Sequence, residues 1–153
     1  MAIPTQFQDI NGNEKRGILK HLQSLGHNYA WVDGQLNANG NEAQVLIDAD
    51  AYQPLGHVKA EKIEALKQEA RVRANALYPF IDVDKGEAEA FYQFASDLYL
   101  SIAPAARQPL SGSLLAFKNI KDAVTASVAT INGYTTEAEV DAFDVVNTPA
   151  WGG

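Results

Sequence analysis

Two contrasting textures along the chain predict a mainly α protein: a small amino-terminal α/β module over residues 1–57, followed over residues 58–153 by a bundle of three amphipathic helices plus a short carboxyl-terminal helix. The first texture is dense in glycine and asparagine, with turn signals at Asn11-Gly12-Asn13, Asp33-Gly34 and Asn39-Gly40-Asn41. The second is a set of long runs in which apolar residues recur every three or four positions, the period of a helix with one buried face. At 153 residues, 46% hydrophobic and 20% charged, the chain has enough apolar surface for a core and lies outside the disordered class.

Each element follows from local chemistry. Glu14 to Leu25 places Ile18, Leu22 and Leu25 at steps of four and three, giving an amphipathic helix that Gly26 ends in the left-handed conformation. Asn28 to Val32 is aromatic and β-branched enough for a strand, and Asp33-Gly34 turns it into a second strand through Gln35 to Asn37. Asn41 caps a short helix through Ala43, Val45, Leu46 and Ile47 that ends before Pro54.

From Val58 the period lengthens. Ile63, Leu66, Ala70, Ala74 and Leu77 form one apolar stripe on a helix that stops at Tyr78-Pro79. Its other faces carry Lys59, Glu61, Lys62, Glu64, Lys67, Glu69, Arg71 and Arg73, which read as a solvated surface. After a turn at Asp84-Lys85-Gly86, Phe91, Phe94, Leu98 and Ile102 mark a second helix limited by Pro104. Leu110 to Ser113 reads as a loop, and Phe117, Ile120, Val124, Ser127 and Ile131 then mark a third helix, with Val128 beside them. Asn132-Gly133 is a turn, and Thr136 with Glu139 fits a capping box that opens a short helix bearing Val140 and Phe143. Pro149 is expected to stop regular structure there.

Charge and composition exclude several classes. With 12 basic against 19 acidic side chains the net charge is −7, which disfavours direct contact with nucleic-acid phosphates. Residues 1–80 hold 8 basic and 9 acidic groups and residues 81–153 hold 4 and 10, so the negative surface lies in the carboxyl-terminal part, where a partner that reads charge should be basic. The absence of cysteine removes disulfides, thiolate nucleophiles and Cys-ligated zinc. No stretch approaches the roughly 20 apolar residues that span a bilayer, and the start lacks a basic and apolar leader, so no membrane insertion and no secretory signal are expected.

Reactive constellations are missing. Asp82-Val-Asp84-Lys-Gly86 resembles the opening of a calcium loop, but its glycine comes one residue early and no glutamate stands near Gln93 to close it, so an interhelical turn is the better reading. Asp48 and Asp50, two apart, do not face one another on a helix. His21, His27 and His57 lack the spacing of a zinc pair, and Ser111-Gly-Ser113 lacks the glycines of a nucleophile elbow. No catalytic residue, metal or cofactor is therefore expected.

The aromatic residues are the contact candidates. Trp151 stands after Pro149 with little local sequence to bury it, so docking on its own domain or on a partner is expected, the latter as an interface anchor. Strand alternation puts Tyr29 and Trp31 on one face, as core packing or as a contact with a neighbouring subunit. Tyr92 and Tyr99, seven apart, flank the stripe of the second long helix, and widening of the buried face is favoured over an exposed strip.

The order Gln44-Val-Leu-Ile-Asp48, Tyr52-Gln-Pro-Leu55, a Lys/Glu/Ala helix from Lys59, an aromatic helix from Glu87 and Thr135-Thr-Glu-Ala-Glu-Val-Asp-Ala-Phe-Asp144 closing in Pro149-Ala-Trp151 resembles small tail and tail-fibre-associated structural proteins of tailed bacteriophages. The resemblance covers roughly residues 43 to 151. It implies a non-catalytic virion component made in the host cytoplasm, contacting other phage tail or fibre proteins as a homo-oligomer or multi-copy ring. A dissociable tail-fibre assembly chaperone is the alternative, and a small-ligand module with a pocket between bundle and α/β module is a third reading.

Overall fold

Gly17 decides where the first helix begins. In the computed structural model, which describes residues 3–77, 85–106 and 111–152, Gly17 sits at φ 77° and caps α1 (Ile18–Ser24). The helix is therefore shorter than the expected 14–25, and Glu14 instead bridges Gln8 across a small loop. Asp9 organises that loop, its Oδ1 accepting from the backbone N–H groups of Asn11 (2.8 Å) and Asn13 (3.0 Å). Leu25 is exposed, and Gly26 ends the helix left-handed as expected.

The hairpin follows the sequence closely. Strand β1 (Ala30–Val32) pairs antiparallel with β2 (Gln35–Asn37), Trp31 opposite Leu36, across Asp33 (φ 48°) and Gly34 (φ 75°). Two consecutive positive φ values give the primed turn whose twist matches paired strands. In α2 (Glu42–Ala51), Asn41 makes no side-chain cap; Glu42 Oε1 accepts from the amides of Ala38 (2.8 Å) and Gly40 (3.3 Å) instead. At its other end Lys15 Nζ donates to the carbonyls of Ala49 (2.7 Å), Tyr52 (3.1 Å) and Asp50 (3.2 Å), groups that a helix end leaves without partners. Phe7, in a 3-10 turn over Thr5–Phe7, is fully buried among Ile18, Leu22, Val45 and Ala49. It had no role in the sequence reading because a lone Phe after Pro4 carries no period.

The chain divides into two compact units, Met1–Val58 and Lys59–Gly153, the division falling inside α3 (Leu55–Leu77). The second unit packs α3 with α4 (Lys85–Ser101) and α5 (Ser111–Gly133), and α6 (Glu137–Ala142) follows. Helix α5 begins at Ser111, where a loop was expected, and Lys85 and Gly86 open α4 rather than forming a turn. The other turn and loop residues, Asp82 to Asp84 and Leu110, and the expected helix stop at Tyr78-Pro79, lie outside the described residues.

The stripe of α5 is as expected: Phe117, Ile120, Val124, Ser127 and Ile131 are all buried. On α3, Leu66, Ala70 and Ala74 are buried, but Leu77 is exposed. On α4 the expected face is corrected. Ala88, Tyr92, Ala95 and Ser96 are buried with Phe91 half-buried, whereas Phe94 is 62% exposed and Leu98 is also exposed. Small residues on the buried face let the helices approach closely, and Phe91 then meets Phe117 edge-on at 4.7 Å.

Ser96 and Ser127 Oγ are buried without a hydrogen-bond partner. Because such a hydroxyl keeps its desolvation cost without recompense, Ser127→Ala is expected to stabilise the protein by about 1 kcal/mol, read as a higher midpoint in denaturant unfolding.

Candidate interaction surface

The carboxyl-terminal segment is held to α3 by side chains that the sequence reading left in solvent. Lys59 Nζ donates to Asn132 O (2.8 Å) near the end of α5, and Lys62 Nζ to Phe143 O (3.0 Å) and Asp141 O (3.3 Å) past α6. These cations meet the carbonyls and the negative dipole ends of two helices. Arg73 pairs with Glu69 (2.8 Å), donates to Val146 O (2.8 Å), and places its guanidinium 4.6 Å from the centre of the Trp151 ring. Trp151 Nε1 donates to Val145 O at 2.8 Å. Pro149 does not stop regular structure: it opens a 3-10 turn, Pro149–Trp151, in which Thr148 Oγ1 accepts from Ala150 N (3.4 Å). Proline suits this first position because its missing N–H has no partner to lose there.

Trp151 is thus half-buried on its own bundle, packed against the cluster that holds Phe117 and Ile120. With Arg73, Leu77, Ala116, Asn119 and Ile120 it lines an open pocket of about 360 Å³. The capping box is complete: Thr136 Oγ1 accepts from Glu139 N (3.2 Å), and Glu139 Oε2 accepts from Thr136 N (3.0 Å). Val140 is buried, and Phe143 leans edge-on against Tyr134 at 6.4 Å.

Arg71 is corrected from a surface residue to a buried one, 5% exposed, bonded to Gln68 (2.6 Å), Glu64 (3.1 Å) and, across to α4, Glu89 (3.4 Å). Five fixed donors suit a guanidinium to several acceptors at once. Beside it Tyr92 lies in the core, 5% exposed, and Tyr99 is half-buried, so the pair forms no exposed strip.

Of its large apolar residues α4 exposes Phe94, Leu98 and Leu100, the first two four apart and therefore on one face. This row was legible as apolar in the sequence but was assigned to the core. In the amino-terminal unit, Tyr29 and Trp31 share one face as expected, and both meet Phe7 edge-on, at 5.5 and 5.3 Å. They are half-buried, so packing takes most of their surface. Ile10, at the tip of the Asp9 loop, is fully exposed.

Four carboxyls are held below their usual range by hydrogen bonds to the charged form. His27 Nε2 contacts Asp48 Oδ2 at 2.6 Å, with Gln44 assisting; backbone amides of Ala38 and Gly40 hold Glu42, those of Thr135 and Thr136 hold Glu139, and the Asn147 side chain with local amides holds Asp144. Because the folded form resists protonation, the stabilisation is complete above the unfolded value of about 4 and is lost as pH falls through the lower folded values. Thermal unfolding should therefore hold its midpoint from pH 7 to about 5 and decline below about 4. Glu139→Gln should flatten that decline.

Among the described residues no group of three or more His, Asp or Glu side chains is placed to hold a metal ion, and no helix is long and apolar enough to cross a membrane. His21 stacks on Tyr52 (4.5 Å), and His27 contacts Asp48. Neither a family model, nor a curated protein, nor a solved structure matches the chain.

Proposed function

We propose that this chain is a non-catalytic structural protein of a tailed-phage virion, a tail or tail-fibre-attachment component that acts through protein contacts in a multi-copy assembly. The observation that carries the interaction reading is the apolar row Phe94–Leu98, which the bundle leaves in solvent although the same helix has a buried face of its own. An apolar row beside a completed core serves contact with another chain, where burial of an aromatic anchor supplies much of the affinity. The phage assignment rests on the resemblance over residues 43 to 151. Trp151 then acts indirectly, by holding the last turn against the bundle. Tyr29 and Trp31 stiffen the amino-terminal unit.

The test is mass spectrometry of purified particles of a phage that encodes the chain, together with cross-linking of the Phe94→Ser/Leu98→Ser variant. Stoichiometric presence in the particle, and loss of cross-links in the variant, support the reading. Absence from finished particles with retained binding to fibre proteins in lysates assigns the chaperone role instead.

A further inference from the structure

A groove of about 470 Å³ runs along the bundle, lined by Lys67 of α3, by Glu89, Tyr92 and Gln93 of α4, and by Lys121 and Thr125 of α5. Three of its polar groups are already engaged. Glu89 accepts from Arg71, Gln93 Nε2 donates to Asp97 (3.0 Å), and the Thr125 hydroxyl donates to Lys121 O (3.0 Å).

The other three are not: the ammonium groups of Lys67 and Lys121 and the hydroxyl of Tyr92 make no hydrogen bond or ion pair among the described residues. Lys118, one turn from Lys121, does pair with Asp122. Tyr92 is more than nine-tenths buried as a residue and lines the groove. Burial first, and Glu89 second, push its pKa up to about 12, so at neutral pH it offers a proton and no charge.

We propose that this groove binds the carboxylate of a small organic anion, with Lys67 and Lys121 supplying charge and the Tyr92 hydroxyl an oriented hydrogen bond. Ala90 and Val124 give the walls an apolar part for an aliphatic body, and the volume lies in the range of small-ligand sites. Glu89 is already paired with Arg71, so the preference for an organic carboxylate over inorganic phosphate comes from the apolar wall that an aliphatic body can cover. The site lies wholly in the helical unit and is independent of the assembly reading.

The experiment is an amide NMR titration of the full chain with butyrate and, separately, with inorganic phosphate, at constant ionic strength. Butyrate should bind saturably, more tightly than phosphate, with shifts clustered around Lys67, Tyr92 and Lys121. Tyr92→Phe keeps the ring and should weaken binding by about tenfold, the weight of a hydrogen bond to a charged group. Lys67→Gln/Lys121→Gln should weaken it further while leaving the melting temperature of the free protein unchanged. Absence of saturable butyrate binding, tighter binding of phosphate, or binding that these variants leave untouched would each overturn the proposal.

Discussion

Ile120→Asp is expected to cost several kcal/mol, enough to leave the helical unit largely unfolded at physiological temperature. Ile120 is 6% exposed and packs in the cluster with Ala70, Ala74, Tyr92, Phe117 and Val124. A carboxylate there loses the apolar contacts of the isoleucine and must either shed water or take up a proton. The guanidinium that lines the neighbouring pocket, Arg73, is already committed to Glu69 and Val146 and stands over Trp151. Recruiting it would therefore open the carboxyl-terminal turn. Since small domains are stable by about 5–15 kcal/mol, a loss of this size is visible as a collapsed melting transition in circular dichroism. A variant that melts with the wild type would refute the packing of α3, α4 and α5 described above.

Trp151→Ala is expected to destabilise the bundle by about 2 kcal/mol, less than a fully buried tryptophan because part of the indole remains in solvent. Three contacts disappear together: the apolar seat beside Ile120, the bond from Nε1 to Val145 O, and the ring beneath Arg73. Self-association of the same variant should be unchanged at temperatures where it is folded, which sedimentation and melting curves measured on one sample would decide. Weakened association at full stability would instead make Trp151 an interface anchor. A double-mutant cycle with Arg73→Met isolates the cation–π part, expected at about 0.5–1 kcal/mol.

Much of the fold was legible because the relevant forces are local. Asp33-Gly34 declares a primed turn through backbone sterics, Thr136 and Glu139 declare a helix start through reciprocal hydrogen bonds, and the α5 stripe declares its buried side through period alone. The register of α4 was not legible. Hydrophobicity favours Phe94 and Leu98, but burial went to Ala88, Tyr92, Ala95 and Ser96, whose smaller mean size suits close helix approach. Which apolar side faces inward is settled by partners distant in sequence.

The latches around the carboxyl-terminal segment were hidden for a related reason. Lys59, Lys62 and Arg73 look like solvent residues by charge, yet each donates to a backbone carbonyl more than seventy positions away. Carbonyls carry no residue identity, so no sequence pattern marks them as acceptors. Arg71 is hidden by its own type, as arginine is seldom buried unless paired. Of the candidate groove, Lys67 was noted as surface charge and Tyr92 as a flanking aromatic, and only folding brings Lys121 beside them.

Gly17 carries a consequence for how this sequence can vary. Its φ of 77° is a conformation that side-chain-bearing residues rarely adopt, and an added Cβ would stand 2.5 Å from the ring of His57. Asparagine, the usual substitute at left-handed positions, satisfies the first restriction and fails the second. Gly26, equally left-handed at φ 84° but facing open space, admits it. Sequences descended from this one can therefore drift at position 26, while a change at position 17 should appear only together with one at position 57.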